Sequence, residues 1–285
     1  MPIYRPTELK QFLDSLSTGP KKHLSQNFLI DGNILRKIVT TAKVQKGDVV
    51  LEIGPGPGAL TECLMEAGAR VIAVEKDPIL SNALSRLTSL GDLQIFTDDI
   101  MKFDMLKHVP PNAKVIANLP YHLTSPILGL LMPHKEIFSS VHVMVQDEVA
   151  KRMTSVHGSY EYSALTVFLN YYGKPSYSFK VGRNCFYPAP KVDSAVVSID
   201  LLTPQADIDR ETFFFLVHQA FNQRRKMLRA SLKETLDSQL VEDALFKIGL
   251  PTTSRPENLS IDHWKAFYKI LEIPLASAPK REPHG

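Results

Sequence analysis

Val49-Val50-Leu51-Glu52-Ile53-Gly54-Pro55-Gly56-Pro57-Gly58 decides the fold. Its first five residues form an apolar run of strand length, and a glycine-rich turn follows at once. Ala59 to Ala67 then reads as a helix. Strand, turn and helix in this order open a βαβ unit. The pattern continues downstream. Val71-Ile72-Ala73-Val74 is a second strand that ends at Glu75, and a helix from Pro78 to Leu87 leads to strand Leu93-Gln94-Ile95-Phe96 and then Asp98-Asp99. A strand from Lys114 to Ala117 ends at Asn118, and Val141 to Val145 precedes a polar helix from Asp147. Strands and helices alternating at this spacing predict a parallel sheet with helices on both faces. Upstream, Asp31 is placed to cap a helix from Gly32 to Ala42, and Thr7 to Leu16 has weak helical periodicity. Val181 to Leu202 reads as two closing strands around a proline-rich loop, Tyr187-Pro188-Ala189-Pro190.

A chain of 285 residues exceeds one average domain of about 150. Residues 1–22 read as an N-terminal extension, 23–203 as the α/β domain and 204–285 as a small helical domain. Within the last, Thr212 to Lys233 contains no Asp or Glu. Phe214, Val217, Phe221, Leu228 and Leu232 fall on one helical face, with Arg224, Arg225, Lys226, Arg229 and Lys233 beside it. That predicts a basic helix suited to phosphates. No stretch approaches the roughly 18 apolar residues of a membrane span, and Met1 to Lys22 lacks the apolar core of a signal peptide. Cys63 and Cys185 are the only cysteines, without a partner set for zinc or a disulfide framework. The expectation is a reduced, cytoplasmic setting with no metal. A net charge of +3 is too small to identify a partner.

The candidate site residues all end strands, where open α/β sheets bind ligands. The glycines, Gly54 and Gly56 among them, let the backbone approach a ligand closely. Their spacing is G-x-G-x-G, not the G-x-G-x-x-G of dinucleotide binders. Glu75 is placed to accept from both ribose hydroxyls and Asp99 from an adenine amine. Together they describe adenosine with no phosphate to hold, as in S-adenosylmethionine, whose spent form is S-adenosylhomocysteine. Each feature also has a plain structural reading: a tight turn, a solvated strand end, a helix cap at Asp99.

Asn118-Leu119-Pro120-Tyr121 supplies the reacting side. The Asn118 side-chain oxygen and the Leu119 carbonyl are placed to accept both hydrogens of an exocyclic amine. Tyr121 is placed to stack on the base, and Pro120 stiffens the turn. This predicts methyl transfer to an adenine amino group. Phe186, before the proline-rich loop, is the candidate for the other face of the base. His122 and Cys185 are assigned no chemistry.

These segments resemble the rRNA adenine N6,N6-dimethyltransferases of the small-subunit type over nearly the whole chain after Lys21. Gln26-Asn27-Phe28-Leu29, Leu51 to Gly58, Glu75, Asp99, Asn118 to Tyr121 and Phe186 to Ser194 carry the resemblance. So do Phe221-Asn222-Gln223-Arg224-Arg225-Lys226 and Arg255-Pro256-Glu257-Asn258-Leu259-Ser260. The resemblance implies a Rossmann-like class I S-adenosylmethionine-dependent methyltransferase domain with a small C-terminal helical domain. It implies dimethylation of two adjacent adenines near the 3′ end of 16S rRNA, in the 30S subunit; a monomer is expected. It adds Asn27 and the Leu29 backbone to the cofactor residues Gly54, Glu75, Asp99 and Asn118, in a segment that closes over the cofactor. Asp98 fits the cofactor position on spacing alone, and the resemblance favours Asp99, two residues before Met101. Leu24-Ser25 departs from the family's usual Phe-Gly. The alternatives are a large-subunit (23S) rRNA adenine methyltransferase of the antibiotic-resistance type and a non-catalytic ribosome assembly factor on the same fold. The two C-terminal segments argue against the first, and the intact strand-end residues argue against the second.

Overall fold

The structure, a computed structural model, describes residues 3–271. They form two compact units: 3–151 with 173–202, and 152–172 with 203–271. The excursion 152–172, placed with the α/β domain from sequence, thus clusters with the helical unit.

The first unit holds a seven-stranded sheet. Its strands are β2 (Val49–Ile53), β3 (Arg70–Glu75), β4 (Leu93–Thr97), β5 (Ala113–Asn118), β6 (Phe138–Gln146), β7 (Gly173–Val181) and β9 (Ser194–Leu201). The order is β4-β3-β2-β5-β6-β9-β7, and β9 alone runs against the others. The apolar runs of β2, β3 and β5 are buried as strands covered on both faces must be. Helices α2 (Gly32–Thr41) and α3 (Ala59–Glu66) pack through Leu35, Ile38, Leu60 and Leu64 onto Val50, Val71 and Ile116. Asp31 caps α2 as expected, accepting from the Asn33 and Ile34 amides at 2.8 and 3.2 Å.

The closing strands differ from expectation. The strand before the proline-rich loop is β7, which starts at Gly173 and ends at Val181. The apolar test missed it because β7 is an edge strand with alternating exposure, where Pro175 is tolerated. Phe186 and Tyr187 form a separate short strand, β8, antiparallel to β1 (Phe28–Leu29).

Residues 1–22, read as an extension, contain α1 (Pro6–Ser15). Leu9 and Leu13 of α1 are buried against Phe28 and Leu80. Leu80 belongs to α4 (Pro78–Ala83). The intervening helices of this unit are α5 (Met105–His108), α6 (Thr124–Leu131) and α7 (Asp147–Met153), the last running into the excursion.

The second unit is helical, with α8 (Ala164–Tyr172), α9 (Arg210–Asn222), α10 (Leu228–Ser231), α11 (Ser238–Lys247) and α12 (Ile261–Leu271). Tyr171, Phe213, Trp264 and Phe267 are its largest fully buried side chains. The single basic helix expected over Thr212 to Lys233 is not formed. Helix α9 stops at Asn222, where Gln223 leaves the helical conformation with φ −123° and ψ 54°, and further on the Leu228 amide bonds to the Ser254 carbonyl at 2.8 Å. Arg224, Arg225 and Lys226 therefore lie on a turn. Arg225 and Lys226 are exposed, and the Arg224 guanidinium stands 5.0 Å over the Tyr160 ring. Arg229, on α10, pairs with Glu242, and Lys233 follows it, exposed. Residues 272–285 of the expected C-terminal domain lie outside the described residues.

Candidate active site

A cleft in the first unit opens at the C-terminal ends of β2, β3, β4 and β5. Gly54, Gly56, Glu75, Asp98, Asp99, Asn118, Leu119 and Tyr121 line it, with Asn27 and Leu29 from the segment above. The turn after β2 needs glycine at two of these positions. Gly54 and Gly56 have φ of 66° and 58°, a left-handed conformation that disfavours a Cβ. A Cβ on Gly56 would also stand 3.1 Å from the Phe28 ring.

Glu75 ends β3 and is 5% exposed. The Gly56 amide donates to its Oε2 at 2.9 Å and the Asp77 amide to its Oε1 at 2.8 Å. Burial raises its pKa, and these two amides oppose the rise. The glycine turn thus points an N–H at a carboxylate of the same wall, where a phosphate-binding loop would offer it to ligand. Asp99 follows β4. Its Oδ2 accepts from Lys76 Nζ at 2.8 Å and its Oδ1 from the Met101 amide at 3.0 Å. The Lys76 hydrogen bond is the main reason its carboxyl titrates below the ordinary value. Asp98 accepts from the Asp99 amide at 2.7 Å, so both aspartates reach the cleft and both also brace the turn.

Asn118 ends β5. Its Nδ2 donates to the Asn27 carbonyl at 3.1 Å, which leaves Oδ1 as the end that accepts. The Leu119 amide is bonded to the Met144 carbonyl at 3.1 Å. The Tyr121 hydroxyl lies 3.0 Å from Ser194 Oγ, fixing the ring at the cleft wall, and burial raises its pKa. Phe186 is not brought to this cleft. It is 3% exposed and sits in the core with Leu29, Leu35, Val181 and Val196, where it offers no free ring face. The Leu29–Phe186 pairing of β1 with β8 instead ties the Gln26–Leu29 segment to the proline-rich loop.

Sequence reasoning passed over Glu52. It is 1% exposed and lines the cleft, and the Thr61 hydroxyl is the one polar side chain acting on its carboxyl as a hydrogen-bond donor. A charged residue in an otherwise apolar strand was the available signal. Burial pushes its pKa up to about 8, and the charge of Glu75 adds to the rise. Protonation in the fold then outlasts protonation in the unfolded chain. Below the ordinary carboxylate range Glu52 is neutral in both states. As pH rises towards 8 the unfolded chain ionises first, and stability falls by on the order of a few kcal/mol. Glu52→Gln should remove that slope. Thermal unfolding between pH 5 and 9 should show the variant gaining on the parent protein as pH rises; parallel curves would mean that Glu52 stays ionised in the fold.

A parallel sheet with one reversed strand near its edge, a glycine turn closed onto an acid and a cleft walled by carboxylates define the class. They are the fold and site of an S-adenosylmethionine-dependent methyltransferase. Residues 19–272 match the family model described as ribosomal RNA adenine dimethylase, and the chain belongs to that family. It is 53% identical over 278 residues to ribosomal RNA small subunit methyltransferase A of Protochlamydia amoebophila (strain UWE25), covering 95% of this chain and 98% of that one. Among solved structures, a dimethyladenosine transferase from Plasmodium falciparum superposes with a TM-score of 0.72 at 26% identity, covering 84% of this chain and 95% of that one. The 23S rRNA methyltransferase ErmE superposes with a TM-score of 0.69 at 26% identity, covering 87% and 100%. The chain is therefore an S-adenosylmethionine-dependent rRNA adenine dimethyltransferase, as the resemblance implied. Among the described residues no helix is long and apolar enough to cross a membrane.

Proposed function

We propose that the protein dimethylates the N6 amines of two adjacent adenines in a hairpin near the 3′ end of 16S rRNA, within the 30S particle. It acts there as a cytoplasmic monomer in small-subunit biogenesis. The observation that carries the chemistry is the amide of Asn118. Its nitrogen is held by the Asn27 carbonyl, so its oxygen is committed to accepting.

The adenine amine is a weak nucleophile because its lone pair is delocalised into the ring. When bound, S-adenosylmethionine supplies a methyl group already activated on a sulfonium. The protein's task is then positioning and polarisation. Asn118 Oδ1 and the Leu119 carbonyl accept the two N–H hydrogens and aim the lone pair. Tyr121, steadied by Ser194, stacks on the base. Attack makes the nitrogen cationic and acidic, so its proton leaves to solvent without a strong base. The monomethylated amine keeps one N–H, enough for one of the two acceptors. The dimethylated amine keeps none, and the site loses its grip on product.

Cofactor contacts fall to the Gly54 backbone, Glu75, Asp99, Asn27, the Leu29 backbone and Asn118. The wall fits the adenosine of S-adenosylmethionine. Carboxylates suit hydroxyl and amine donors and repel phosphate, and the Gly56 amide is already taken by Glu75. Glu75→Ala should weaken cofactor binding by roughly tenfold to a hundredfold, the loss of a charged hydrogen-bond partner. Unchanged affinity by calorimetry would remove Glu75 from the site. The second unit, with Arg224, Arg225, Lys226, Arg229 and Lys233, holds the rRNA by its phosphates, which position without reading sequence. The decisive experiment gives the protein labelled cofactor and unmethylated small subunits, then maps the modified bases. Label at other adenines, or only in large-subunit rRNA, would overturn the reading.

A further inference from the structure

Asp77 stands two residues beyond Glu75, and each part of it has a different duty. Its main-chain amide orients Glu75 by donating to Oε1 at 2.8 Å. Its Oδ1 caps α4 through the Ile79 amide at 3.1 Å. Its Oδ2 accepts from Lys21 Nζ at 2.8 Å and from Gln26 Nε2 at 3.2 Å. The Asp77 side chain is fully buried, while that of Lys21 keeps 28% exposure. Gln26 in turn accepts from the Lys21 amide at 2.8 Å. Next along the chain, Ser25 Oγ lies 3.2 Å from His122 Nδ1, and the Asn27 carbonyl receives Asn118 Nδ2. The stretch 23–29 lines the cleft opposite the strand ends. On its apolar side Phe28 packs under Leu9 and Leu13 of α1.

A buried carboxylate is costly unless paired. Here its partners come from a segment that has no other ion pair to the sheet among the described residues. Opening of the segment would strand Asp77 Oδ2 beside a carboxylate, Glu75, that its own backbone holds in place. The main chain that aims Glu75 and the side chain that fastens the segment belong to one residue.

We propose that Asp77 is a positioning residue: it fastens segment 21–29 over the bound cofactor and, through the same residue, ties that closure to the aim of Glu75. This rests on the reading of the cleft as the S-adenosylmethionine site. The segment lines the cleft, and a fastening that holds it over bound cofactor acts on release more than on entry.

The test uses the full chain with Asp77→Asn, which keeps the helix cap and the shape but loses the charge, and Lys21→Met, which leaves the sheet untouched. Association and dissociation of S-adenosylmethionine are measured by surface plasmon resonance, with hydrogen exchange of residues 22–29 followed with and without cofactor. Each variant should release cofactor about tenfold faster at a nearly unchanged association rate, the effect of losing one charge-assisted bond. The double variant should be no worse than either single one, as for two ends of one interaction. Cofactor should protect the 22–29 amides in the parent protein and fail to do so in the variants. Should Asp77→Asn not fold, Lys21→Met carries the test alone. Parent-like release from both variants, or a lower melting temperature with unaltered release and exchange, overturns the proposal. A parent protein that does not bind the cofactor overturns the cleft reading and the proposal together.

Discussion

Asn118→Ala should lower turnover by about a hundredfold to a thousandfold while leaving the fold and most cofactor affinity in place. The magnitude is that of removing one preorganised hydrogen-bonding group from a transition state. Asn118 Oδ1 is the acceptor that the structure holds ready, because the other end of the amide is bonded to the Asn27 carbonyl. Its partner N–H becomes more acidic as the amine attacks, so the bond strengthens in the transition state and the loss falls on kcat. Asn118→Asp separates acceptance from orientation. It keeps an acceptor but turns a carboxylate oxygen towards the Asn27 carbonyl, so it should disturb the covering segment as well as the chemistry. Single-turnover methylation of small subunits measures the first effect, and cofactor calorimetry the second. A parent-like single-turnover rate in Asn118→Ala would dismiss the amide from the reaction.

The other large effect should come from the second unit. Arg225 and Lys226 changed together to Glu should weaken small-subunit binding by on the order of a hundredfold near physiological salt. The logarithmic salt dependence should flatten by about 2, one for each phosphate contact removed. Cofactor affinity should be unchanged, since among the described residues none of the second unit lines the cleft. Arg229 is a weaker choice for this test because it already pairs with Glu242. Equal subunit affinity for variant and parent across a salt series would return the turn to a solvated surface.

The parallel part of the fold was legible because burial on both faces writes near-continuous apolar runs, and β2, β3, β5 and β6 each carry one. The convergence of the candidate residues on one cleft was legible for a related reason. Glu75 and Asn118 are polar residues that end apolar strands and Asp99 follows one closely, and that contrast survives in the bare sequence. Edge strand β7 was not legible, because its pairing to β9 on one side imposes only broken alternation and admits Pro175. The basic helix was misread for a non-local reason. Periodicity continues through Asn222, but the backbone leaves the helix at Gln223 and the Leu228 amide is taken by a carbonyl at Ser254, and no local signal announces that. Phe186 reads from sequence either as a core aromatic or as a face for the base, and nothing local decides between them, since its strand partner, Leu29, lies far away in sequence. Asp77 and Lys21 are likewise distant in the chain and meet only in the fold.

The excursion 152–172 also sets the order in which the protein can be finished during synthesis. Strand β6 is complete at Gln146, but its neighbour β9 begins only at Ser194. Between them the ribosome delivers α8, whose rings have no home yet. Tyr171 packs on Phe213 and Phe214 with ring centroids 5.1 Å apart in each case, and Phe168 on Phe214 at 5.2 Å. Those partners emerge after the sheet could close. The nascent chain must therefore carry a bare aromatic helix through the interval, an exposure of the kind that invites misassembly. A chain severed after Leu202 would keep that bare helix permanently, so the first unit is freed from the second only by excising 152–172 as well.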